Sequence, residues 1–154
     1  MRDFSKVSPH LWRSKRFRSL GDEGGLLHMY LLTCEHQTSA GCLRLPDAYA
    51  AADLGWPVDK FHRATAEVEE AGLIVYDGET EEIFVLRWFK HNPPTNSKHR
   101  QGVDRIISEV DSDKVREAAE ADLLAYVTAA PANDVGISKS HLTDTGYMRA
   151  RGGR

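Results

Sequence analysis

The chain has 154 residues, 41% hydrophobic and 28% charged, enough for one domain with a real core plus an appendage. No apolar run approaches the roughly 18 residues of a membrane span, and MRDFSKVSPH does not read as a secretory signal, so a cytoplasmic location is expected. A formal net charge of −3 speaks against an indiscriminate nucleic-acid binder.

The charge is distributed in blocks. Arg2, Lys6, Arg13, Lys15, Arg16 and Arg18 face only Asp3 in the first twenty residues. Acids dominate from Asp22 to Glu82, the stretch from Arg87 to Arg105 is basic with Asp104 the exception, and Glu109 to Glu120 is acidic again. Arg149, Arg151 and Arg154 close the chain. Blocks of this kind can still present one positive face.

Ser8-Pro9 predicts a short capped helix, with Leu11, Trp12 and Phe17 as its core anchors. Within it, the run RSKRFR has two readings: a solvated entry segment pinned by aromatics, or a phosphate-contacting arm. Ser19 and Asp22 signal a second helix start, followed by Leu26, Leu27, Tyr30 and Leu31 at helical spacing. Gly24 and Gly25 inside it cost roughly 1 kcal/mol each relative to Ala, so packing must hold this helix. His28, Cys34, His36 and Cys42 match no common zinc spacing, and no CxxC occurs. Buried reduced thiols and surface histidines are expected, with no metal.

Cys42, Leu43 and Leu45 read as a short strand. Two helices follow, at about 47–54 and 57–71, hinged at Leu54-Gly55-Trp56-Pro57. A helix that stops on Gly and restarts on Pro must change direction. Phe61, Ala64 or Thr65, and Val68 form the apolar stripe of the second helix. Its outward face carries Asp59, Lys60, His62, Arg63, Ala66, Glu67 and Glu70. Leu73–Tyr76 and Ile83–Leu86, joined by DGETEE with its Asp77-Gly78 turn signal, form a hairpin over 73–88 that Trp88 and Phe89 close. His91-Asn92-Pro93-Pro94 marks a boundary. Helices are then predicted over Lys98–Val110 and Lys114–Val127, with Asp111-Ser112-Asp113 as a cap between them. Residues 131–154 lack periodicity and read as a flexible tail.

The fold expected is α+β: a winged helix-turn-helix domain over 1–95, a helical C-terminal extension over 96–130, and the tail. There is no phosphate loop, HExxH or GxSxG, so neither an enzyme nor a cofactor is expected. As a DNA binder, the chain would use Lys60, His62 and Arg63 in the major groove. Asp77, Glu79, Glu81 and Glu82 would repel the backbone from the wing. Phosphate contacts would therefore come from Arg13, Lys15, Arg16 and Arg18, with Lys98 and Arg100 in support and Lys90 beside them. Stacking on bases is disfavoured, because Trp12, Trp56 and Trp88 sit where a core needs them.

The order SPHLWRSKRFRSLGDEGGLLHMYLLTCEHQTSAGCLRLPDAYAAADLGWPVDKF, then EAGLIVYD and ETEEIFVLRWFKHNPP, resembles the N-terminal winged-helix domain of phage replisome organisers related to DnaD-type initiators. It covers about residues 4–95, on motifs that mostly determine the fold. The resemblance implies binding near a replication origin, recruitment of a helicase or its loader, and self-association, in a bacterial or phage-infected cell. The chain departs from larger members in lacking a recognisable helicase-interaction domain. The function expected is non-enzymatic binding of double-stranded DNA in a phage or prophage replication-initiation or transcription-control module. The alternative is a winged-helix adaptor that binds protein instead, its acidic wing facing a basic partner and residues 98–127 forming a homodimer.

Overall fold

A computed structural model describes residues 3–129; the expected tail, 131–154, lies outside the described residues. Ser8 accepts the His10 N–H and opens a 3-10 turn, Pro9–Arg13. Ser14 then accepts the Phe17 N–H and caps α1, Lys15–Arg18. Next come α2 (Asp22–Thr33), β1 (Cys42–Arg44), α3 (Asp47–Leu54), α4 (Val58–Glu70), β2 (Ile74–Asp77) and β3 (Glu82–Val85). Three helices follow: α5 (Trp88–His91), α6 (Ser97–Ser108) and α7 (Asp113–Ala129). The class is α+β, with a small antiparallel sheet ordered β1-β3-β2.

The α3–α4 hinge forms from its own residues. Gly55 is left-handed at φ 66°, and Trp56 N–H returns to the Ala51 carbonyl at 2.8 Å. Pro57 sits at the N-cap rather than inside α4. Phe61, Ala64, Thr65 and Val68 of α4 are buried in a core that includes Leu27 and Leu31 of α2.

β3 is the middle strand and all four of its residues are buried, so both of its faces are covered. α7 lies along β2 and β3, and Val103, Ile107, Val115, Ala119 and Leu123 of the last two helices join the same core as Phe61 and Phe84.

Several expectations are corrected. Of the three expected anchors Phe17 is buried and Leu11 half-buried, while Trp12 is 64% exposed, its ring edge-on to Phe17 at 5.4 Å. Ser19 does not cap α2: its hydroxyl donates to the Arg16 carbonyl, and Gly21 holds the cap position. Leu26 is exposed and His28 buried, the reverse of an apolar Leu26 and a surface histidine. The hairpin loop is four residues, Gly78 to Glu81, and its left-handed position falls on Glu81 rather than Gly78. The second strand stops before Trp88, because Arg87 adopts φ 61° and turns the chain into α5. No helix among the described residues is long and apolar enough to cross a membrane.

Candidate nucleic-acid interface

α4 shows solvent a narrow stripe. Successive residues turn by about 100°, so burial of Phe61, Ala64 and Val68 puts Lys60 and Glu67 on one flank and His62 and Glu69 on the other. The structure turns Lys60 toward α2: its Nζ lies 2.9 Å from the Glu23 carboxylate and 4.7 Å from the centre of the Trp56 ring. Glu67 accepts the Gly21 N–H at 2.6 Å. This contact needs Gly24, where a β-carbon would stand 2.6 Å from the same carboxylate.

On the other flank, His62 Nε2 meets Asp47, whose second oxygen accepts the Tyr76 hydroxyl at 2.9 Å. Burial, and then that hydrogen bond, push the Tyr76 phenol well above its ordinary value. Glu69 accepts the Tyr76 N–H and Lys114 Nζ. Arg63 is left on the outer stripe with Asp59, Ala66 and Glu70, all exposed. The groove set of Lys60, His62 and Arg63 is thus split: two are held by acids and one is extended into solvent.

Arg13, Lys15, Arg16 and Arg18 are all exposed, because Phe17 alone of the arm is buried and turns its neighbours outward. The Arg16 side chain lies against Gly72, at the end of α4, and Arg87 Nη2 donates to the Gly72 carbonyl at 3.2 Å. The link between α4 and the arm is the Glu67–Gly21 contact, whereas Arg16 itself lies past the end of α4, beside Gly72. Arg63 is one turn before Glu67, about 6 Å along the axis, and Glu67 holds Gly21 just after the arm. Lys98 and Arg100 lie on α6, which packs on α7; Lys98 is exposed, and Arg100 Nε pairs with Asp104 at 3.1 Å.

The hairpin acids are employed elsewhere than expected. Glu82 is buried and accepts the Asp111 and Ser112 N–H groups. Asp77 accepts the Ser112 hydroxyl at 2.6 Å, and that bond holds its carboxyl below the usual range. Glu81 accepts the Asp47 N–H at 3.3 Å, at the start of α3. Glu79 alone of the four is exposed. Glu81 and Glu82 thus accept N–H groups where α3 and α7 begin, where unpaired N–H groups and the dipole favour negative charge. Asp122 does the same for α5, accepting the Arg87 and Phe89 N–H groups. The only hint in sequence was a charge abutting an apolar run, EEIFVL.

Cys34 and Cys42 are buried and not joined in a disulfide, and burial followed by the Glu82 charge pushes Cys42 up to about 12, which keeps it protonated. Among the described residues no group of three or more His, Cys, Asp or Glu is placed to hold a metal ion. No protein-family model, no curated protein and no solved structure matches the chain.

Proposed function

We propose that the chain is a winged-helix protein that binds double-stranded DNA without catalysis, in a phage or prophage replication-initiation or transcription-control module. Support for the fold reading is the order of elements: a strand, two helices about a Gly-Trp-Pro hinge, and an antiparallel hairpin. The observation that carries the function is the exposure of Arg63 on α4 and of all four cations of the basic arm, with Glu67, one turn after Arg63, holding the Gly21 N–H that follows the arm. Arg63 reads a base edge and His62 assists, while Arg13, Lys15, Arg16 and Arg18 neutralise phosphates. Lys60 must leave Glu23 to take part. The hairpin contributes no phosphate contact, because it carries no Lys or Arg from Leu73 to Leu86 and its Glu79 is exposed.

The resemblance to replisome organisers makes a helicase or helicase loader the natural protein partner. A homodimer is favoured by one observation: Leu124 and Val127 are exposed on α7, at 64% and 44%. The adaptor reading loses its acidic wing, since Glu82 is buried and Asp77 and Glu81 are engaged.

The test is an anisotropy titration of labelled random duplex DNA at low and physiological salt. Four or five neutralised phosphates give a log K against log salt slope of about −4. Absence of binding at micromolar protein in low salt, or a salt-independent affinity, overturns the reading.

A further inference from the structure

A cleft of about 300 Å³ opens between the arm and the end of the sheet, and no residue of α4 lines it. The arm contributes Lys6, His10 and Arg16 to its wall. Across from them stand Arg87, Lys90 and His91, from the chain that leaves β3. Leu32, Leu73, Val85 and Trp88 make an apolar floor. Among the described residues no aspartate or glutamate lines the cleft.

His28 also lines it, 4% exposed, with an Nδ1 that has no hydrogen-bond partner among the described residues. Buried polar atoms are normally satisfied, so a lone imidazole nitrogen beside a cleft calls for a partner from outside the chain. Burial, then the Arg87 charge, lower His28 to about 4 and keep it neutral, able to offer one donor and one acceptor. The cations crowd one another. Arg87 is held below its ordinary value by burial and then by Arg16. His91 is held down by burial and then by Lys90, Arg87 and His10. Among the described residues Asp122 is the acid whose charge opposes this, and its two oxygens already accept the Arg87 and Phe89 N–H groups.

We infer that this cleft binds a phosphomonoester, its dianion seated among Arg16, Arg87 and Lys90 and its organic part against Leu32, Leu73 and Val85. Two guanidiniums and an ammonium match the charge and the planar oxygen pairs of a phosphoryl group. The cleft reaches the size of small-ligand sites, and its floor is of the kind they bury; inorganic phosphate would leave that floor uncovered. The group has two sources, a free phosphorylated metabolite or the 5′-terminal phosphate of a nucleic-acid strand. Neither rests on the duplex reading.

The test is calorimetric titration of the full chain with deoxyadenosine 5′-monophosphate and with deoxyadenosine. Alongside these runs a short single-stranded oligonucleotide carrying a 5′-phosphate or a 5′-hydroxyl. Phosphate-dependent binding of the mononucleotide, with equal binding of the two oligonucleotides, assigns the free metabolite. A preference for the 5′-phosphorylated oligonucleotide assigns the strand end. In either case Lys90→Gln and Arg16→Gln each weaken binding by about tenfold, while Arg44→Gln, an exposed cation outside the cleft, leaves it unchanged. Arg63→Ala, which must impair duplex binding if that reading holds, leaves the mononucleotide titration untouched. No phosphate-dependent binding of any of the four compounds at millimolar concentration overturns the inference. So does binding that Lys90→Gln and Arg16→Gln leave intact.

Discussion

Glu82, 6% exposed in the middle strand, accepts the backbone N–H groups of both Asp111 at 3.1 Å and Ser112 at 2.7 Å. One carboxylate thus ties the hairpin to the start of α7, while Ser112 Oγ accepts the Val115 N–H in the same turn. Hydrogen bonds from backbone N–H groups to a buried charge are among the stronger ones. Glu82→Gln presents an amide NH2 to one of the two donors, and Glu82→Ala leaves both unpaired. Each is expected to lower stability by about 2–4 kcal/mol in urea unfolding. A loss below 0.5 kcal/mol, on the order of an ordinary surface change, would mean the contact carries no weight.

Two glycines with positive φ should respond very differently to alanine. At Gly41, φ 73°, a β-carbon would lie 2.4 Å from the Trp88 ring. That ring cannot retreat cheaply, since its Nε1–H donates to the Ser39 carbonyl at 2.9 Å. Gly41→Ala combines backbone strain with overpacking and should cost about 3 kcal/mol or more. At Gly55, φ 66°, no atom of the described residues lies within 4 Å of the added carbon, so only the left-handed penalty of about 1–2 kcal/mol remains. Thermal melts of the two variants check the order, and equal midpoints would refute it.

His28 should make the fold acid-sensitive before the carboxylates do. Folded, it stays neutral down to about 4; unfolded, it takes a proton below 6.5. Between those values the unfolded chain binds more protons, so stability falls as pH drops through that window. At pH 5 the loss relative to pH 7.5 is about 2 kcal/mol. His28→Leu removes this component while keeping the site apolar. The difference in urea midpoints between pH 7.5 and 5 should shrink in the variant, and an unchanged difference would refute the assignment.

How much of this was legible depended on how far away the deciding partner lies. The hinge at Gly55-Trp56-Pro57 and the stripe of Phe61, Ala64 and Val68 are local signals, and the elements follow them. Burial of single residues is different. Glu82 looks like a wing-tip charge until Asp111 and Ser112, about thirty residues on, are seen to need an acceptor. Trp12 and Phe17 look alike as aromatic anchors in sequence, yet Phe17 is buried and Trp12 exposed. Lys60 and Arg63 are both basic residues in one half of one helix. Only the position of α2, and with it Glu23, separates a structural cation from an available one.

That separation is testable in DNA binding. Arg63→Ala should leave the fold within about 0.5 kcal/mol of wild type and weaken duplex affinity by about ten- to a hundredfold. Lys60→Ala should do the opposite. It removes a partly exposed ion pair and a contact with Trp56, costing up to about 1 kcal/mol of stability, with little effect on DNA. Paired anisotropy and urea titrations decide it. A larger DNA defect in Lys60→Ala would mean that the Lys60–Glu23 pair opens on the duplex.

Adjacent leucines on α7 separate folding from association. Leu123, Leu124 and Val127 are all apolar residues of α7, but Leu123 is 4% exposed and Leu124 64%. Leu123→Asp buries an unpaired carboxylate and should cost more than about 3 kcal/mol, enough to unfold a marginal domain. It therefore says nothing about a dimer. Leu124→Asp keeps the fold, and if residues 98–127 form a homodimer the light-scattering mass should fall from twice 17.2 kDa to that value. A wild-type mass already at the monomer value, unchanged in Leu124→Asp, would remove the homodimer and leave Leu124 and Val127 as ordinary exposed apolar residues.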